Sequence, residues 1–133
     1  MVRKVKFDIK DLESIKLLVD RFYASVRNDE LLGPVFADVI KDDWQPHLDK
    51  MYAFWNAALF GVAGFRGNPF ARHAPLSIQP QHFDRWLQVF NQTVNDNFEG
   101  PMADDAKKRA ELMSIMFQAK LSRVKDGFSK IIV

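Results

Sequence analysis

From Trp44 to Phe60 the apolar residues recur with the period of a helix, at positions 44, 47/48, 51, 54/55 and 58/59. Such a run fits a helix that turns one face to a core. Pro46 falls in its first turn, where a missing backbone N–H is not needed. His47 lies inside the stripe, one turn before Met51, and so faces the interior. Gly61, Gly64 and Gly67 then break the period. A short segment, Asn68-Pro69-Phe70-Ala71-Arg72-His73, follows and is closed by Pro75. The spacing predicts a long helix with an inward histidine, a loose connection, and a one- or two-turn helix ending in a second histidine. Two histidines approaching one space from two elements could grip a planar ligand or a metal. Each could equally be a satisfied core or capping histidine.

The flanking segments carry the same period. Residues 8–28 read as a helix capped by Asp8, with Ile15, Leu18/Val19, Phe22/Tyr23 and Val26 as its stripe and Asn28-Asp29 as its end. Tyr23 sits on the inner edge, where its hydroxyl needs a partner or a route to water. Residues 29–43 read as a short irregular connection in which Gly33-Pro34 forces a turn and Phe36 points inward. Pro80 starts another helix, with Phe83, Trp86/Leu87, Phe90 and Val94 inward and His82 exposed in the first turn. The last helix is expected over 102–123, with Asp104 and Asp105 suiting its positive end. Its stripe reads as Leu112, Ile115/Met116 and Ala119, with Phe117 beside it. Gly127 marks its end and a loose tail follows. No β-alternation and no internal repeat interrupts this, so the expected class is all-α.

Composition narrows the function. A chain of 133 residues with 47% hydrophobic content fits one domain, 1–133, with a real core. No apolar run approaches the roughly 18 residues of a membrane span, and the basic start leads into no secretory segment. With no cysteine there are neither disulfides nor thiolate–metal sites, which fits a cytoplasmic protein. A net charge of +2 makes nucleic acid a poor default partner. Twelve Phe and three Trp leave much aromatic surface to bury, so either the core is aromatic-rich or something flat packs against it. Metalloprotease, Walker, dinucleotide and EF-hand signatures are absent, and no nucleophile triad stands out.

Several pieces, in this order and spacing, resemble the truncated haemoglobins, and specifically their third group. They are Phe22-Tyr23, Leu32-Gly33-Pro34-Val35-Phe36, Trp44 with His47, Phe54-Trp55, Arg72-His73 and Trp86. The scattered glycines contain no Gly-Gly pair, and Trp55 falls late in its helix, as in that group. The resemblance covers about residues 12–120. It implies a shortened globin, a two-over-two helical sandwich around haem b (iron protoporphyrin IX). It implies that His73 is the proximal iron ligand, that Tyr23, His47 and Trp86 line the distal side, and that Phe36 packs on the porphyrin. Met51, Phe54, Ile78 and Phe83 would complete the apolar slot, and Lys50 and Arg72 are candidates to pair with the haem propionates.

The residue types suit that chemistry. Haem iron needs one strong neutral nitrogen donor, which a histidine supplies. Bound dioxygen is partly negative, so O–H and N–H donors such as Tyr23 and Trp86 stabilise it. The expected function is reversible binding of dioxygen, nitric oxide and other small ligands by a monomer. A haem enzyme is the alternative, either a nitric oxide dioxygenase served by a reductase or a peroxidase-like protein. A helical interaction module whose His and Trp are merely core is a third.

Overall fold

Asp11, rather than Asp8, starts the first helix. Its carboxylate accepts the Ser14 backbone N–H at 2.9 Å and the Ser14 hydroxyl at 2.8 Å. The computed structural model describes residues 5–40, 44–63 and 79–132. The described helices are α1 (Leu12–Asn28), α2 (Leu32–Ile40), α3 (Trp44–Phe60), α4 (Pro80–Asn97) and α5 (Pro101–Ile132), the last with side chains placed as far as Lys120. None is long and apolar enough to cross a membrane among the described residues.

Asp8 caps a different helix from the expected one. Its two oxygens accept the N–H groups of Met102 (3.0 Å) and Ala103 (2.8 Å), the opening residues of α5. These donors have no partner within their own helix, so the carboxylate satisfies what the helix cannot. The approach is close at Gly100, whose φ of 142° is glycine territory and where a Cβ would stand 2.6 Å from Asp8 Cγ. Ile9, 1% exposed, anchors the same segment, and Phe7 forms a lone parallel bridge with Phe98.

The connection expected over 29–43 contains a helix instead. Gly33 and Pro34 fall in the first turn of α2, where a proline is tolerated, so they do not force a turn. The Asp29 carboxylate accepts the N–H groups of Leu31 (3.0 Å) and Leu32 (2.9 Å) and starts it. Gly33 permits the tight join, since a Cβ there would lie 2.8 Å from the Arg27 carbonyl oxygen.

Helix α1 is the hub, packing against α2, α3 and α4, while α4 pairs with α5. Its stripe of Ile15, Leu18, Val19, Phe22, Tyr23 and Val26 is buried as expected. Helix α5 departs from expectation twice. It continues past Gly127 to Ile132, and it buries another face. Ala103, Ala106, Ala110, Ser114 and Phe117 are inside, whereas Leu112, Ile115 and Met116 are 57%, 57% and 47% exposed and Ala119 is exposed as well. Alanines carry little bulk, so a face built of them lets a neighbouring helix approach closely. The larger residues would hold the helices apart.

The centre of the core is aromatic. Trp55 and Trp86 both stack on Phe90, with ring centroids at 5.0 and 5.7 Å, and Phe22 meets Phe90 edge-on at 5.3 Å. Such pairs add about 0.5–1.5 kcal/mol each beyond area burial. They also fix the ring of Trp86, which is only half-buried.

Candidate functional site

One cavity gathers residues from every described helix. Tyr23 comes from α1, Phe36 from α2, Met51 and Phe54 from α3, and Phe83 and Trp86 from α4. All six were singled out from the sequence. Its empty space, open mouth included, is about 690 Å³. The wall is mostly apolar. An apolar cavity with few polar groups suits a largely apolar ligand.

The other predicted residues divide. His47 is half-buried and stands edge-on to Tyr23, with ring centroids 4.9 Å apart, and to Trp44 at 6.1 Å. Trp44 in turn carries the Arg27 guanidinium over its face at 4.6 Å. His47 therefore belongs to an aromatic cluster around Tyr23, behind the cavity wall rather than part of it. Lys50 is exposed on α3. Arg72, His73 and Ile78 lie outside the described residues.

Tyr23 is 6% exposed, and burial pushes its phenol well above the ordinary value. At neutral pH it is a protonated O–H donor in an apolar wall. Trp86 contributes an indole, which can only donate. Tyr23 and Trp86 line the cavity from two different helices, α1 and α4. Their rings are held by neighbours: Tyr23 meets Phe22 at 4.9 Å and Phe36 at 6.1 Å, and Trp86 meets Phe22 at 5.6 Å.

Several wall residues escaped the sequence reading. His82 was expected to be exposed, but it is half-buried and lines the cavity. Its Nδ1 accepts the Gln79 backbone N–H at 2.8 Å. The signal was present, because the third residue of a helix often folds back onto the residue that precedes it. Leu32 and Val35 were missed as wall residues because α2 was read as irregular, and Met113 and Ser114 because α5 was given the wrong face. Phe117 was noted only beside that face. Trp55 is 4% exposed and lines the cavity as well.

Comparison with known proteins bears on this arrangement. Residues 8–121 match the family model described as bacterial-like globin. Over 121 residues the chain is 33% identical to the group 3 truncated hemoglobin of Campylobacter jejuni, covering 88% of this chain and 95% of that protein. The crystal structure of the group III truncated hemoglobin from the same organism superposes with a TM-score of 0.81 at 31% identity, over 88% of this chain and 95% of the other. A tryptophan-to-leucine variant of the group II truncated hemoglobin from Bacillus anthracis gives 0.68 at 26% identity, over 82% and 85%. The chain therefore belongs to the bacterial-like globins, as a truncated haemoglobin of the third group with the two-over-two helical fold.

Proposed function

We propose that the chain holds haem b in this cavity and binds dioxygen and other small diatomic ligands reversibly. The observation that carries the reading is the buried Tyr23 side chain in a mostly apolar slot that also takes Trp86. A haem suits the slot by polarity, since Phe36, Met51, Phe54 and Phe83 offer apolar contact to a macrocycle. With no cysteine among its residues the chain has no thiol for a thioether bond, which favours the non-covalent b-type group. His73 would hold the iron, supplying a neutral imidazole nitrogen. Bound haem would supply the iron position at which a diatomic ligand is held.

The chain's own residues then set how long a ligand stays. Tyr23 offers an O–H and Trp86 an N–H, each oriented by packed rings. His47, edge-on to Tyr23, helps to hold that ring in place. The apolar wall keeps bulk water from competing for those donors. A hydrogen bond to a charged acceptor contributes about 1.5–3 kcal/mol. Losing one donor should speed dioxygen release by about tenfold or more, since about 1.4 kcal/mol is a factor of ten. Carbon monoxide carries little charge when bound, so its release should change much less. The experiment compares Tyr23→Phe and Trp86→Phe with the parent for both gases. Parental dioxygen release in both variants would make these residues mere packing. Equal acceleration of the two gases would mean steric access rather than donation.

A further inference from the structure

His82 does two things at once that a surface residue in a first helical turn need not do. Its ring forms part of the cavity wall, and its Nδ1 holds the Gln79 N–H at 2.8 Å. A neutral imidazole whose Nδ1 accepts must carry its proton on Nε2. The helix start therefore fixes the tautomer, leaving Nε2–H as the ring's donor. Resting on the haem reading above, we propose that His82 anchors the carboxylate-bearing edge of the cavity's occupant by donating Nε2–H to it.

The polarity of the wall supports this. Tyr23 is buried, away from solvent. The Ser114 hydroxyl, 4% exposed, already accepts the Gln118 amide at 3.2 Å. Arg85, the next cation along α4, is committed to Asp29 at 3.1 Å. His82 is half-buried, so it stands where the wall meets water. A flat group that is apolar except for two carboxylates on one edge must turn that edge toward donors and solvent, because an unpaired buried carboxylate is strongly disfavoured. His82 meets both needs. The same ring caps the helix that carries Phe83 and Trp86, so the anchored edge and those two wall residues share one support.

The test separates the carboxylate contact from the cap. His82→Glu keeps an acceptor for the Gln79 N–H, as glutamate commonly does at this position, but removes the donor and opposes a carboxylate. His82→Gln keeps both an acceptor and a donor. Each variant and the parent are loaded with iron protoporphyrin IX or with its dimethyl ester, and porphyrin loss to an excess of a second haem-free globin is timed. For the free acid, His82→Glu should lose porphyrin at least about tenfold faster than the parent, and His82→Gln should stay within about threefold. For the ester, His82→Glu should match the parent. If His82→Glu loses both porphyrins alike, or neither faster than the parent, His82 is a helix cap and the anchor is overturned. A parent that takes up neither porphyrin overturns the haem reading itself, and the anchor with it. Imidazole nitrogen NMR shifts of the haem-free protein give a second reading: a proton on Nδ1 of His82 would also overturn the proposal.

Discussion

Replacing Asp8 with alanine removes a cap from α5, the helix that brings Met113, Ser114 and Phe117 to the cavity. Two backbone donors, Met102 N–H at 3.0 Å and Ala103 N–H at 2.8 Å, lose a charged acceptor. A lost N-cap costs about 0.5–2 kcal/mol, and bonds to charged groups lie toward the upper end, so about 2 kcal/mol is expected for this half-buried pair. With an unfolding entropy of about 2.1 cal/mol/K per residue, that lowers Tm by roughly 7 °C for a chain of this length. Gly100→Ala acts on the same contact. It forces a side chain into a conformation costing about 1–3 kcal/mol, and its Cβ would collide with the Asp8 carboxylate. Because the alanine displaces the carboxylate, the double variant should lose clearly less than the two single losses combined. Thermal and denaturant unfolding of the three variants read this directly. A Tm unchanged in Asp8→Ala, or full additivity in the pair, would refute the capping argument.

The chain has two tyrosines, and both are shifted. Burial raises Tyr23 beyond the ordinary range, and burial together with its hydrogen bond to Asp20 pushes Tyr52 up to about 12. A phenol is neutral when protonated, so the unfolded chain ionises first. The associated stability is full below about pH 10 and is lost as pH rises toward the folded values. Tyrosinate absorbance should therefore appear in the unfolded chain before the native one, and Tyr23→Phe should make the alkaline fall in stability shallower. Simultaneous ionisation in both states would contradict the burial of Tyr23. On α5, Ala110→Leu should overpack the seam with α4 and lower stability by about 1–3 kcal/mol, while Ile115→Ser should stay within about 0.5 kcal/mol of the parent. The reverse order in denaturant unfolding would mean that the buried face is misassigned.

Much of this was legible in the sequence, and the losses have physical causes. Helix α3 runs from Trp44 to Phe60 as its period predicts, and Pro80 opens α4. Both have strong stripes bounded by clear breakers. The face of α5 was misread because hydrophobicity favours Leu112, Ile115 and Met116, whereas close packing favours Ala103, Ala106 and Ala110. Helix α2 was hidden by Gly33-Pro34, a pair that marks a turn in isolation and a helix start when an aspartate caps it. Asp8 was assigned to the nearest helix, because its bonds to residues 94 and 95 positions away leave no local trace. Of the cavity's lining, Tyr23, Met51, Phe54, Phe83 and Trp86 were legible as residues on inward stripes, and Phe36 as an aromatic residue turned inward after Gly33-Pro34. His82 was not, because polarity alone placed it outside.

Titration of the haem-free protein with iron protoporphyrin IX, followed by absorption and by tryptophan fluorescence, tests the central claim most directly. Trp55 and Trp86 line the cavity, so a haem there must quench them. The account predicts a sharp end point at one haem per chain, with quenching and the bound-haem absorption band saturating together. A titration without an end point, or haem absorption that develops without quenching, would contradict it.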